Sequence, residues 1–447
     1  MSIINHRILK SNTNIDLNFE GGKLSSDSGL LLVKEFVHKT GLGLIIKKMF
    51  KTNDTAIMRI HTDFANLMQA LYQIIAGYFV DDRADDLTNE PVFMACLEKG
   101  ALASQPTMSR FYNRMDQDTL FQFGKIQKMM RKAIYSLPGH LPKTMLFDLD
   151  TTLLNTYGKQ EGSAWNYHYQ TEGYHPKVCF NGITGELIRA ELRKGTEYCS
   201  KDITEFMDPV FKEFTVDYPS VHLFLRGDSG FATPELYEQC ETNNCHYTIR
   251  LKSNKSLIEK AKEITALLDE KTKKDKVSYA CQFGEFQYAA SSWSKERRVV
   301  CKVEKPSDSF VYQYTFIVTS LSGNPKSIIN FYCKRGTMEN YIKEGKNGFD
   351  FSAVSSSSMI VNSNRLQIHV IAYNIINWMK RYVFPKSMSR DTIETIRIKL
   401  FKIASKITFH ARKIVYSLCS SYPYKKEFFQ ILDNISALQP TPYDLLL

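Results

Sequence analysis

Between residues 144 and 251 the apolar pattern changes period, and that change limits the folds open to this chain more than any other feature. "TMLFDLD" (144–150) is an apolar run of strand character, which "TLLNTYG" (152–158) can prolong. "KVCFNGITGELIRAELR" (177–193) reads as a hairpin turning at Thr184-Gly185. "SKDITEFMDPVFKEF" (200–214) is a helix, "SVHLFLR" (220–226) a strand, "TPELYEQCETN" (233–243) a helix with Pro234 in its first turn, and "CHYTIRL" (245–251) a strand. The order is β-β-β-α-β-α-β. A three-stranded meander followed by two crossovers demands a mixed sheet with helices on its faces.

This is the element order of the ribonuclease H-like fold, although strand order and crossover hand do not follow from sequence. The flanks differ from it. Residues 1–25 suggest short strands with a turn at Gly21-Gly22, and Ser25-Ser-Asp-Ser caps a helix running to about Phe50. A second helix covers about 63–78, and another about 118–137, ending at Pro138-Gly139. Residues 89–115 form two short helices. They are either an ordinary helical hairpin or a helix-turn-helix that presents Ser109, Arg110 and Arg114 to DNA. After 253 a charged helix (257–274) precedes three alternating stretches, "SYACQFGEFQYAASS", "RRVVCKVE" and "FVYQYTFIVTS", which suggest a β insertion. Helix returns at Lys326, and residues 365–432 read as helical and basic.

The expected class is therefore α/β: a ribonuclease H-like mixed-sheet core interrupted by a mostly β insertion, with a mainly helical N-terminal domain and a helical C-terminal segment. The expected division is 1–140 (helical, DNA-binding), 141–252 (core, first part), 253–320 (insertion), 321–385 (core, second part) and 386–447 (basic, helical). A length of 447 residues suits about three domains.

The net charge of +11 and a pI near 9.0 favour a polyanionic partner, nucleic acid above all. The charge is concentrated: residues 380–427 hold twelve Lys/Arg against three acids, a surplus of +9. The nine cysteines contain no CxxC pair, which argues against a zinc site or a disulfide framework and for reduced thiols. Neither an apolar signal core nor a run of membrane-spanning length is present, so a cytoplasmic protein is expected.

Three acids stand out. On a strand, Asp148 and Asp150 share one face, where two carboxylates repel each other unless a cation or a donor network lies between them. The ordinary alternative is a pair of strand-end residues facing water. Asp228, in "FLRGDSGF" (224–231), lies where a strand leaves the sheet at its carboxyl edge, the usual ligand side of open α/β sheets. Asp-Ser-Gly is also a common turn. On the helix from Lys326, the residues Tyr332, Arg335, Glu339 and Lys346, spaced +3, +4 and +7, fall on one polar stripe, with Phe331, Met338 and Ile342 on its flank. Fraying is expected at Gly345. An ion-paired solvated face would show the same Arg-x3-Glu spacing.

With these residues in place, the chain resembles one branch of the DDE transposases of bacterial insertion sequences, whose signature helix reads Y-x2-R-x3-E-x6-K. Tyr332, Arg335, Glu339 and Lys346 match it without a slip. Asp150-Thr-Thr is similar to the first acid of that branch, Asp228 to the second, and 253–320 to its β insertion; "QEGSAWNYHYQTEGYHPKVCF" and "LRKGT" also look like members of the group. The pattern fits Asp150 better than Asp148, which stays open as the alternative. The resemblance implies that Asp150, Asp228 and Glu339 are catalytic and hold two Mg2+ ions, for which Mn2+ can substitute. It implies contacts to double-stranded DNA, at the element's terminal inverted repeats and at target DNA, by Tyr332, Arg335 and Lys346, together with Arg226, Arg110 and Arg114. Trp293 is expected either to stack on a base or to lie in the insertion's core. A homodimer in the synaptic complex, no membrane partner and a cytoplasmic, nucleoid-associated location are also implied. Two rival expectations are a nuclease of the same fold that cuts without joining, and a catalytically silent DNA-binding descendant.

Overall fold

The computed structural model describes residues 7–56, 58–275, 279–306, 311–411 and 413–439. Residues 1–6 of the expected N-terminal strands, Phe310 of the third alternating stretch, Arg412 of the basic segment and residues 440–447 lie outside them. The chain divides into two compact units. One comprises 141–346 with 354–366, the other 1–140 with 347–353 and 367–447.

The first unit is built on an eight-stranded sheet. Its strands are β1 (Thr144–Thr151), β2 (Lys177–Asn181), β3 (Leu187–Glu191), β4 (His222–Gly227), β5 (Cys245–Leu251), β6 (Ala280–Tyr288), β7 (Arg297–Lys305) and β8 (Gln313–Thr319). They lie in the order β6-β7-β8-β5-β4-β1-β2-β3. β4 is parallel to both β1 and β5, while β2 is antiparallel to β1 and β3. Met145 to Leu149 are all buried, as the near-continuous apolar run requires of a central strand covered on both faces. Helix α1 (Ile203–Asp217) sets Phe211 and Phe214 edge-on to Phe147, with ring centroids 6.0 and 5.2 Å away. Helix α2 (Pro234–Thr242), capped by Thr233, stacks Tyr237 on Tyr247 of β5 at 5.4 Å.

Two expectations need correction in this unit. The alternating strands after 253 extend the central sheet, because β8 pairs antiparallel with β5 and so satisfies the open N–H and C=O groups of what would be an edge. Nor does "TLLNTYG" prolong β1. Leu154–Asn155 leaves it to form a separate small sheet with Thr171–Tyr174 and Ala164–Asn166.

The signature stretch forms one helical run with two irregularities. Helix α3 (Pro325–Cys333) passes through a 3-10 turn at Lys334–Gly336 into α4 (Thr337–Lys343), and a π turn follows at Glu344–Gly348. The expected fraying at Gly345 is absent, and Lys346 lies inside the helical run.

The second unit is mainly helical. Leu30–Lys39 and Leu42–Met49 are separate helices, not one helix to Phe50, because Gly41 takes a left-handed φ of 73° between them. Asp63–Ala76 is capped by Thr62 and stopped at Gly77, φ 92°. Gln117–Tyr135 opens on a capping box of Asp116 and Thr119. The C-terminal segment is not wholly helical: Ser405–His410 and Lys413–Leu418 form a hairpin, and the first of these also pairs with Leu24–Ser25. Their β-branched and aromatic residues, Ile407, Thr408, Phe409, Ile414, Val415 and Tyr416, suit a pleated ribbon better than a helix.

Arg397 shows how this unit is tied together. Its buried guanidinium donates to the carbonyls of Ile74 and Ile75, at the unsatisfied end of helix Asp63–Ala76, and to that of Gly348. Replacement by alanine strips hydrogen bonds from these buried acceptors. We expect Arg397→Ala to lower stability by about 2–4 kcal/mol in urea unfolding; a loss below about 0.5 kcal/mol would show that water replaces the guanidinium.

Candidate active site at the sheet edge

The register between β1 and β4 builds the site. Arg226 lies level with Asp148 on these parallel neighbours. Side chains alternate along a strand, so two residues further on, Asp150 and Asp228 share that face at the carboxyl edge. Gly227 ends β4, and Asp228 continues with extended backbone (φ −76°, ψ −175°), accepting a hydrogen bond from the Gly230 N–H at 2.8 Å. The turn expected of Asp-Ser-Gly is thus present, and it holds the carboxylate beside Asp150.

The two aspartates of β1 have different surroundings. Asp148 is fully buried and forms a bidentate pair with Arg226, Nε to Oδ1 at 2.7 Å and Nη2 to Oδ2 at 2.6 Å. Arg226 also donates to the Phe331 carbonyl at 2.6 Å and lies over that ring. Gly182 packs against this pair so closely that a Cβ would overlap the Asp148 carboxylate. Asp150 keeps 19% of its side-chain surface open and pairs with Arg335, Nη2 to Oδ2 at 3.0 Å. Asp148 is therefore occupied by structure, and Asp150 is the accessible acid of the strand.

The signature helix is fastened across this edge. Arg335 also donates to the Leu149 carbonyl at 2.7 Å, and Lys346 to that of Leu153 at 2.8 Å, so the two cations straddle Asp150. Tyr332 is half-buried against Val300, Ile317, Ile328 and Ile329. Its hydroxyl feels Arg335 and Asp228, and burial raises its pKa. Burial pushes the Asp150 carboxyl above the ordinary range; Arg335 and the Thr151 N–H oppose that rise and the charge of Asp228 adds to it. Burial also raises Asp148 and lowers Lys346.

Not every expected residue joins this group. Glu339 is exposed on α4, without a hydrogen bond or ion pair to either aspartate among the described residues. Among those residues no three metal-ligating side chains come together. Arg226, expected at DNA, is consumed inside the sheet by Asp148 and Phe331. Arg114 is half-buried and ion-paired with Asp63 and Asp54. Arg110 is exposed, with a single weak bond to Thr107. Trp293 is packed edge-on between Tyr237 and Tyr288, with Arg297 over its ring, which favours the core role.

Two neighbours of the acids were missed from the sequence. Burial, then Asp150, Cys199 and Asp228, push the Tyr169 hydroxyl up to about 12. Cys199 lies 3.4 Å from the Thr151 hydroxyl. The only advance signal was the run of aromatics in "WNYHYQ".

The donor set suits a hard divalent cation: two carboxylates on one edge, one of them already holding a guanidinium. Asp150 and Asp228 would supply the first oxygens, and Glu339 would have to approach them to complete a set of three.

These differences separate the two β1 aspartates by experiment. Arg226→Met leaves Asp148 buried without its partner and should cost about 3–5 kcal/mol in urea unfolding. For Asp150 the raised carboxyl means that the folded chain releases its proton later than the unfolded one. Its contribution to stability is full below the unfolded carboxyl's pKa and declines as pH rises through the folded one. In a chelator, Asp150→Asn should therefore gain Tm relative to wild type between pH 4 and 7; a constant difference would mean that Arg335 compensates fully.

No curated protein matches the chain. Among solved structures it is similar to the piggyBac transposase synaptic complex with hairpin DNA, determined by cryo-EM, at 12% identity and a TM-score of 0.44, covering 84% of this chain and 80% of that one. The family model described as transposase DDE domain group 1 matches residues 8–440. The chain thus belongs to that family and is a DDE transposase, a polynucleotidyl transferase.

Proposed function

We propose that this transposase serves a bacterial insertion sequence: it cuts DNA at the element's ends and joins them to target DNA at the sheet edge that carries Asp150 and Asp228. The observation that carries this reading is the register that sets these two acids side by side, with Arg335 across them. A ribonuclease H-like core is supported by the order β3-β2-β1-β4-β5, with β1, β4 and β5 parallel.

Asp150, Asp228 and Glu339 would hold two Mg2+ ions, or Mn2+ in their place. Bound there, the cations would lower the pKa of the attacking water or 3′-hydroxyl and take up charge on the leaving oxygen. The chain's own groups orient the DNA. Arg335 and Lys346 flank the acid, where their charges suit the phosphates beside the cut, and the Tyr332 hydroxyl can donate to one. Arg335 is paired with the Asp150 carboxylate and would be free to bind phosphate if a cation took its place there. Glu339 would have to approach the aspartates to share in holding the ions.

Outside the acid edge, Lys406 and Lys413 on the C-terminal hairpin and Lys425 and Lys426 on the helix after it are exposed and suit the DNA backbone. Arg110 is the remaining N-terminal DNA contact. Holding two element ends together implies a dimer on DNA. No helix among the described residues is long and apolar enough to cross a membrane, and action in the cytoplasm at the nucleoid fits a DNA substrate.

The exposed position of Glu339 favours a second reading, a DNA-binding descendant without catalysis. A Mg2+-dependent assay on labelled DNA carrying the element's ends separates the two. Wild type should cut, whereas Asp150→Asn, Asp228→Asn and Glu339→Gln should bind in gel shifts yet lose at least about a thousandfold in rate, roughly 4 kcal/mol of transition-state stabilisation. Binding without cutting by wild type selects the silent reading, and full activity of Glu339→Gln removes the third acid.

A further inference from the structure

The small sheet that leaves β1 carries an unusual surface. Among the described residues ten large aromatic side chains are well exposed, and five of them lie between 157 and 198: Tyr157, Trp165, Tyr167, Tyr169 and Tyr198. Tyr157 and Tyr167 keep 85% and 81% of their surface open. Such clustering marks a binding surface more often than chance exposure does.

Its placement is built, not incidental. Asn166 turns inward, donates to the Gly195 carbonyl, and accepts from the His168 and Tyr169 N–H groups, which fixes the turn that presents Tyr167 and Tyr169. Trp165 precedes it on the strand and faces outward, across from Glu172. The Tyr169 ring lies edge-on to His168 and His175. His175 Nδ1 is 2.9 Å from the carbonyl oxygen of Glu197, two residues before Cys199, which touches Thr151 beside Asp150. Tyr169 is thus linked to the acid edge through His175 and the 197–199 segment.

A phosphodiester at Asp150 and Asp228 has nucleotides on both sides, and a flank that leaves past Tyr169 would meet these rings. Base faces stack on Tyr and Trp whatever the sequence, and exposed Lys159 and Lys194 in the same segment suit the phosphates between them. We propose that Trp165, Tyr167 and Tyr169 form a stacking surface for unpaired bases of the DNA strand next to the cleaved phosphate. This rests on the acid pair being the cutting site, and it moves the stacking role from Trp293 to the small sheet.

The test uses the full chain and an oligothymidylate of about a dozen nucleotides, in EDTA so that nothing is cut. Trp378 is buried and Trp293 is packed among tyrosines, so quenching of tryptophan emission reports on Trp165. Wild type should bind with quenching, and Trp165→Phe should bind with most of the quenching gone. Trp165→Ala and Tyr167→Ala should each weaken binding by roughly 5- to 150-fold at unchanged Tm, and blunt duplex should bind them much as it binds wild type. Unchanged affinity for single strands, or equal losses on duplex, would overturn the proposal. Failure of the underlying reading looks different: Asp228→Asn would then cut as well as wild type, whatever the aromatic variants do.

Discussion

The buried pair of Asp148 and Arg226 is the interaction on which the rest of the site depends. It joins β1 to β4 in one register, and through the Phe331 carbonyl it ties α3 to both strands. With that register set, the two carboxylates that follow on the same face meet at the edge of the sheet. With α3 held at Phe331, Tyr332 and Arg335 arrive over them. Two charges taken out of water gain little net stability, but a misaligned register would leave both unpaired in the core. The pair therefore acts chiefly to exclude wrong alignments, and Gly182 leaves it the room.

The acid edge beyond the pair is under electrostatic load. Asp228 lies close enough to Asp150 for its charge to oppose the ionisation of Asp150, whose burial already disfavours the charged form. Arg335 relieves part of this, and its binding to Asp150 resembles the service a cation would perform. Lys346, fastened to the chain just past β1, keeps the helix over the edge from its far end. A site of this kind trades stability for a place where positive charge is welcome, as expected of phosphoryl transfer.

Much of this is legible in the sequence. The period change at 144 and the meander-then-crossover order are present in the sheet. The acids and the stripe from Tyr332 to Lys346 were found by spacing. The differences between expectation and structure have physical causes. Leu42–Met49 was merged with the helix before it because Gly41 leaves the apolar pattern almost unbroken. The 405–418 segment carries both lysines and β-branched residues, and only the latter signal a ribbon and not a helix. The strands after 253 looked like a separate piece, since alternation in sequence does not say which edge a strand will join. Arg226, Arg114 and Trp293 each contact neighbours far away in sequence, and residue type alone does not reveal those contacts.

The local chemistry was written in the chain itself: which segments form strands and helices, which acids stand at strand ends, and where the positive charge collects. Those properties follow from periodicity, capping and composition, all short-range. Which aspartate of β1 is free was decided only by the fold. Asp148 and Asp150 have the same type, face and strand, and they differ solely because Arg226, seventy-eight residues away, lies level with the first. The tertiary structure likewise brought Tyr169 and Cys199 beside the acids and left Glu339 exposed on its helix. Contacts of that range depend on strand order and register, which no local pattern encodes.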